Sequence, residues 1–323
     1  MVEPILKVED LSVTYRTAGG QHHLALHPLS LTIAPGETLG LVGESGSGKS
    51  TLGRAIIGLT PPSGGRVLYR GRDVSHALRN TSARHGHTIQ MVFQDPYSSL
   101  NPARKIASAI GDVLGVARVQ RGQRARRAAE LMRKVGLPAE ALGRFPSDFS
   151  GGQRQRIAIA RALGATPDLI IADEPISALD VSVQAQILNL LIDLRRENGL
   201  SMLFISHDLR IVSDISDRVA VLYLGRLVEI GRASRIARAP AHPYSAMLFR
   251  NIAVPDVEKT RRLFRGQSAD EDVVPSSPAS DRLCAFAARC PYARDPCATV
   301  APPNRNLPDG DNVLCHFPLY ERA

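Results

Sequence analysis

Residues Gly43-Glu44-Ser45-Gly46-Ser47-Gly48-Lys49-Ser50-Thr51 carry the spacing G-x-x-x-x-G-K-[ST], the pattern of a phosphate-binding loop. Glycines let the backbone turn tightly enough for successive N–H groups to face one phosphate chain, and a following helix adds the partial positive charge of its N-terminus. Lys49 would neutralise the β- and γ-phosphates, and the Ser50 hydroxyl would join a Mg²⁺ shell. Leu169-Ile170-Ile171-Ala172-Asp173-Glu174 is a second element of the same kind: four apolar residues deliver two adjacent carboxylates. Asp173 suits Mg²⁺ held through water. Glu174 suits the positioning of an attacking water, because phosphoryl transfer asks chiefly for orientation and charge stabilisation.

A third element is Phe149-Ser150-Gly151-Gly152-Gln153-Arg154-Gln155-Arg156, about a hundred residues after Lys49. Two glycines behind a serine allow close approach of backbone to an anion, and Arg154 to Leu163 reads as a helix. Ser150 and that helix N-terminus could therefore bind a second phosphate.

The elements that must position these groups are legible. Leu39-Gly40-Leu41-Val42 reads as a buried strand before the loop, and Leu52 to Ile57 as the start of a helix after it. Residues 1–95 read as strands with the loop. From Pro96 to about Pro167 the pattern turns helical, as in Ile106-Ala107-Ser108-Ala109-Ile110 and Ala128-Ala129-Glu130-Leu131-Met132. Strands and helices alternate again from Leu169, with Val181 to Leu194 an amphipathic helix and Val219 to Tyr223 a strand, so the fold class is α/β.

At 323 residues the chain exceeds what one core supports, which implies a main domain with an appendage. Apolar residues make up 44% of it, yet no run reaches the ~18 needed to span a bilayer. Met1-Val2-Glu3-Pro4 lacks the features of a signal peptide, so a cytoplasmic chain is expected, with any membrane role exerted through partners. The net charge of +9 raises nucleic acid or an anionic surface as partners. Much of it lies in Arg118, Arg121, Arg124, Arg126, Arg127, Arg133 and Lys134. Aromatics are only 5% of the chain and none interleaves with those cations, so a solvated helix face near acidic headgroups is the favoured reading over a nucleic-acid platform.

Composition shifts after about residue 250. Residues 266–281, rich in Ser, Asp, Pro and Ala, read as a linker. All four cysteines follow: Cys284, Cys290, Cys297 and Cys315. Stable disulfides do not suit a cytoplasmic chain. Four thiolates could complete a zinc site or hold an iron–sulfur cluster, but the gaps of five, six and seventeen residues match neither a C-x₂-C knuckle nor a ferredoxin run. Metal binding and free structural thiols both stand.

Taken together and in this order, the motifs resemble the ATP-binding-cassette (ABC) family, a P-loop NTPase fold with a RecA-like α/β core and a helical subdomain. The resemblance implies a domain over 1–250, with the helical subdomain at about 96–167, and a linker and cysteine-containing C-terminal extension over 251–323. It also implies that Gly43 through Thr51 bind ATP, that Ser50, Gln94 and Asp173 serve Mg²⁺, and that Glu174 is the general base. Gln94, in Met91-Val92-Phe93-Gln94-Asp95-Pro96, is similar to the glutamine that contacts Mg²⁺ and attacking water. His207, after Leu203-Phe204-Ile205-Ser206, is similar to the switch histidine. Tyr15 corresponds to the aromatic stacked on adenine, and Asp180, in Ser177-Ala178-Leu179-Asp180, to the loop that reaches across a dimer. Ser150, Gly151, Gly152 and Gln153 would meet the opposing protomer's ATP. Phe149 stands where Leu is commoner and keeps the position apolar.

Arg238-Ala239-Pro240-Ala241-His242-Pro243-Tyr244 and the Cys-Pro-Tyr segment at 290–292 resemble the extension of the oligopeptide/dipeptide/nickel importer branch. Phe93 to Pro102 and the Phe149 form resemble one of that branch's two ATPase subunits. The resemblance implies a peripheral ATPase on the cytoplasmic face of the cell membrane. Its implied partners are a second, distinct ATPase, two permeases and a substrate-binding protein. Peptides are the favoured cargo, with nickel and glutathione open. For Cys284, Cys290, Cys297 and Cys315 it implies a 4Fe-4S cluster. The competing class, an ABC ATPase acting on nucleic acid, would carry a long insertion before Ser150 or a second cassette, and the sequence has neither.

Overall fold

The structure, a computed structural model, describes residues 3–16, 20–75, 89–250, 283–307 and 310–322. The expected linker at 266–281 lies outside the described residues. Strands β1 (Leu6–Arg16), β2 (His22–Ile33), β4 (Gly64–Tyr69) and β5 (Arg72–Asp73) form an antiparallel sheet in the order β2-β1-β4-β5. The larger sheet takes β3 (Thr38–Val42), β6 (Ile89–Val92), β7 (Leu169–Asp173), β8 (Ser201–Ile205), β9 (Arg218–Tyr223), β10 (Arg226–Arg232), β11 (Asn304–Asn306) and β12 (Asn312–Leu314). Its order is β11-β12-β10-β9-β3-β8-β7-β6.

The five strands from β9 to β6 run parallel. Strands covered on both faces read as unbroken apolar runs, and β3, β7 and β8 are buried at every position. Alternation divides their side chains between two cores. Leu169, Ile171, Leu203, Ile205 and Leu222 pack with the antiparallel sheet and helix α1 (Lys49–Ile56). Ile170, Ala172, Met202, Phe204 and Val221 pack with the remaining helices.

Those helices include α2 (Pro96–Ser99), α3 (Ile106–Val116), α4 (Arg124–Lys134) and α5 (Gly151–Gly164), which occupy the stretch read as helical. Helix α6 (Val181–Asn198) ends at Gly199, whose φ of 63° closes the helix in the left-handed region. Helix α7 (Leu209–Ile215) is capped by Asp208, which accepts from the N–H groups of Arg210 and Ile211. The arginine-rich segment is largely α4. Arg126 and Arg127 pair with Glu130, and Arg124 donates to the Val119 carbonyl, so part of its charge is spent within the helical layer.

Helices α8 (Ala233–Arg238) and α9 (Pro243–Arg250) follow β10, and α10 (Asp295–Thr299) lies in the cysteine segment. The extension is built into the main sheet: β12 pairs antiparallel with β10 through Glu229 opposite Val313 and Ile230 opposite Asn312. Beneath that seam Arg235 bridges Glu229 and Asp311, both almost fully buried. Glu229 also accepts the N–H groups of Ala241 at 2.8 Å and His242 at 2.9 Å. A buried carboxylate needs such partners, since an unpaired one would cost several kcal/mol, on the order of 3–5.

Candidate functional site

Four neighbouring parallel strands end in four loops that carry the candidate chemistry. The phosphate-binding loop follows β3, His207 follows β8, Glu174 follows β7 and Gln94 follows β6. Ligands of open α/β sheets bind at this carboxyl edge.

The loop's shape is fixed by contact. Gly43 adopts φ 152°, and a Cβ there would fall on the Leu222 carbonyl oxygen and 2.7 Å from Ser47 Oγ. Helix α1 begins behind Gly48 with no side-chain cap, so its first N–H groups remain available to an anion. The Lys49 ammonium is buried and donates to the carbonyls of Gly43 at 2.8 Å and Glu44 at 2.9 Å. Burial lowers its pKa, opposed by the charges of Glu174, Asp173 and Glu44. Ser47 Oγ is buried without a hydrogen-bond partner. A buried cation held by loop carbonyls and an orphaned hydroxyl fit a phosphate chain. Ser45 and Gly46 are exposed at the loop tip.

Ser50 Oγ donates to Asp173 Oδ1 at 2.9 Å, which brings two of the expected Mg²⁺ donors together. Asp173 is 2% exposed, and burial raises its carboxyl pKa against the lowering effect of the Ser50 hydrogen bond. Hard oxygen donors of this kind, one hydroxyl and one carboxylate, suit Mg²⁺ with its remaining ligands drawn from water and phosphate. Glu174 accepts a hydrogen bond from Gln94 Nε2 at 3.1 Å, and its Oε2 lies 3.5 Å from His207 Nδ1. Its backbone is at φ 45°, an uncommon conformation for a non-glycine residue, held where the Glu174 N–H donates to the Ile205 carbonyl at 2.9 Å. Tyr15 is 39% exposed, with its hydroxyl 3.5 Å from Thr51 Oγ1 in α1.

The remaining expected residues form a separate group. Ser150 caps α5: its Oγ accepts the Gln153 N–H at 3.4 Å, and Gln153 Oε1 accepts the Ser150 N–H at 3.0 Å. Both are exposed. Phe149 is buried in the helical core, with the Arg144 guanidinium 5.2 Å from its ring centroid. Gly152 faces α6 so closely that a Cβ would strike Val183, three residues after Asp180. Asp180 is exposed, and its carbonyl accepts the first N–H bonds of α6 from Val183 and Gln184 at 2.9 Å each. No side-chain capping bond fixes its carboxylate.

Cys284, Cys290, Cys297 and Cys315 all line one narrow cleft, together with His242 and Phe286. Burial raises the thiol pKa of Cys284 and pushes Cys315 up to about 11. Among the described residues no group of three or more His, Cys, Asp or Glu is arranged to hold a metal ion. The thiols thus converge on one space without closing round a single ion. Four thiolates bound to one zinc would stand about 3.8 Å apart, as Zn–S bonds of ~2.3 Å require.

Two contacts were invisible in the sequence. Tyr244 Oη accepts the Glu44 N–H at 2.9 Å, and Arg289 donates to both Glu44 carboxylate oxygens at 2.8 Å. Spacing signals nothing across 200 and 245 residues.

Comparison with known proteins agrees with this geometry. The family model "ABC transporter" matches residues 26–177, and "Oligopeptide/dipeptide transporter, C-terminal region" matches residues 228–297. A Sinorhizobium fredii protein named "Probable peptide ABC transporter ATP-binding protein" is 46% identical, over 98% of this chain and 90% of its own. Among solved structures, the ATP-binding cassette MJ0796, a dimer in a post-hydrolysis state bound to ADP and Pi, aligns with TM-score 0.61 at 29% identity. It covers 71% of this chain and 98% of its own. CbiO1 of Clostridium perfringens, part of an ABC transporter complex, aligns with TM-score 0.63 at 27% identity, over 80% of this chain and 99% of its own.

Proposed function

The chain belongs to the ABC transporter family as an ATP-binding subunit of the oligopeptide/dipeptide type, and from this we propose that it is the ATP-hydrolysing, energy-coupling subunit of a peptide importer. The observation that carries the proposal is the division of the site. Lys49, Ser50, Asp173, Glu174, Gln94 and His207 line one sheet edge, while Ser150 and Gln153 stand exposed on another element, with Gly151 and Gly152 half-buried between them. A single chain holds the base, but its second phosphate-binding element faces outward, as an ATPase completed by a second cassette requires.

On this reading Gly43 through Thr51 hold the ATP phosphates and Tyr15 meets the adenine. Ser50 and Asp173, with Gln94, hold Mg²⁺, which when bound neutralises charge developing on the phosphate oxygens. Glu174, set between Gln94 and His207, orients the attacking water and takes its proton. Ser150, Gly151, Gly152 and Gln153 close over the partner's nucleotide, and Asp180 reaches across the interface. The partner cassette is a second, similar ATPase rather than an identical copy, beneath two permeases fed by a substrate-binding protein. No described helix is long and apolar enough to cross a membrane. The proposed location is peripheral, on the cytoplasmic face, held there by those permeases.

Di- or oligopeptides are the proposed cargo, with nickel or glutathione the alternatives within the branch. For the extension we propose a 4Fe-4S cluster on Cys284, Cys290, Cys297 and Cys315. What supports it is that all four thiols line one cleft, although the described residues include no group already arranged to hold a metal ion. Such a cluster would supply a redox-sensitive cross-link among the cysteines when bound. Anaerobically purified protein with neither iron nor cluster absorbance would end that part of the proposal.

The importer reading is tested by co-purifying the tagged chain from its own membranes. Recovery of two permeases and a second ATPase, with ATPase activity stimulated by a loaded binding protein, is the expected result. A chain recovered with ribosomes or nucleic acid would overturn it.

A further inference from the structure

Glu44, the second residue of the phosphate-binding loop, is held at three points. Its N–H donates to Tyr244 Oη at 2.9 Å, its carbonyl accepts from Lys49 Nζ at 2.9 Å, and its carboxylate takes two parallel hydrogen bonds from Arg289 at 2.8 Å. The carboxylate is thus turned toward the extension, although Glu44 belongs to the loop by sequence. A paired fork of this kind fixes direction as well as distance, which a lysine could not do.

Arg289 is itself set in place. Its guanidinium lies 5.8 Å from the ring centroids of both Tyr223 and Phe286, and these two rings meet edge to face at 5.3 Å. Tyr223 is the last residue of β9, the strand beside β3, and Phe286 is buried in the extension. The guanidinium is 31% exposed and the Glu44 carboxylate 35%, so water screens the pair only in part.

Lys49 spends its hydrogen bonds on the loop's own carbonyls, Gly43 and Glu44. If Lys49 gives up its Glu44 contact as it turns to a phosphate, Glu44 keeps two of its three tethers. Both come from outside the loop: Tyr244 on α9 and Arg289 in the cysteine segment, directly before Cys290.

We propose that Arg289 is a positioning residue of the nucleotide site, which acts through Glu44 to keep the phosphate-binding loop in its receptive shape once Lys49 engages a phosphate. The extension is thereby a working part of the ATP site. This rests on the assignment of Gly43 to Thr51 as that site.

The test measures affinity for a fluorescent ATP analogue on the full chain, steady-state ATPase kinetics of the chain assembled with its partner cassette, and thermal midpoints. Arg289→Ala is expected to weaken nucleotide binding about 5-fold and to raise KM more than it lowers kcat. Glu44→Ala should do the same, and the double variant should add nothing further, because the two act as one unit. Arg289→Lys, which keeps charge but loses the fork, should fall between wild type and Arg289→Ala and guards against a misfolded alanine variant. Thermal midpoints lowered by both arginine variants with affinity and KM unchanged would overturn the proposal and leave Arg289 an anchor of the extension. Lys49→Ala in the same assay separates the two levels. Unchanged affinity there would remove the loop assignment, and this inference with it. Lost affinity there beside unaffected Arg289 variants would remove this inference alone.

Discussion

Gln94 Nε2 donates to Glu174 Oε2 at 3.1 Å, and the same carboxylate oxygen lies 3.5 Å from His207 Nδ1. The residue proposed as base is thus held between side chains from the two strands that flank its own. Such a clamp orients a carboxylate without consuming it, since Glu174 keeps its second oxygen for water.

From that arrangement, Glu174→Gln should lose hydrolysis while it keeps the hydrogen-bonding shape of the side chain. A decrease in kcat of at least about 100-fold is expected, in line with the loss of a positioned base. ATP binding should persist, and size-exclusion chromatography with ATP and Mg²⁺ should show a longer-lived dimer with the partner cassette. Hydrolysis at the normal rate would show that another group takes the proton.

Lys49→Ala should act one step earlier. It removes the only charged donor within the loop, so nucleotide affinity should fall about 10- to 100-fold, the range for hydrogen bonds to charged groups. Isothermal titration with ATP would read it. The change also leaves a buried and a part-buried loop carbonyl without that donor, so a stability loss of about 1–3 kcal/mol should accompany it.

Much of this site was legible before any coordinates. Buried parallel strands such as Leu169 to Asp173 announce themselves as apolar runs, and Glu174 and His207 each follow one of them within two positions. Local signals also marked Ser150, because two glycines follow it ahead of a helical run; the structure adds a Ser150–Gln153 capping box. The extension was legible as a cysteine cluster and by resemblance at Arg238 to Tyr244 and at 290–292, but its attachment was not. Its attachment depends on β12 pairing with β10, on Asp311 reaching Arg235 and on Arg289 reaching Glu44. Such contacts join residues 76 and 245 positions apart, where neither periodicity nor motif spacing carries information.

Gly152 gives a prediction about packing rather than ligand chemistry. A methyl there would meet Val183 on α6, so Gly152→Ala must push α5 away from the helix that Asp180 opens. Overpacking of this kind costs about 1–3 kcal/mol. ATPase activity with the partner cassette should fall more than stability does, because Ser150 moves with its helix. Val183→Ala in the same chain should restore activity. If the double variant stays as inactive as Gly152→Ala alone, steric displacement is not the cause.

His242 sets a pH dependence. Its ring is buried, lies tilted at 5.8 Å from that of Phe286 and accepts the Tyr244 N–H on Nδ1 at 3.0 Å. The groups around it are the Glu229 carboxylate bound to its own N–H, the Tyr244 hydroxyl, the cleft thiols and His316. Burial lowers its pKa from 6.5 to about 3. Between those values the unfolded chain binds a proton that the folded chain refuses, so stability is complete above pH 6.5 and is lost as pH falls toward 3. The slope contributed by one such group approaches about 1.4 kcal/mol per pH unit. Urea midpoints should therefore drop between pH 7 and pH 5. His242→Asn, which can still accept the Tyr244 N–H but does not titrate, should be less stable at pH 7 and flatter over that interval. An equal slope in both proteins would show that His242 is not the source of the acid sensitivity.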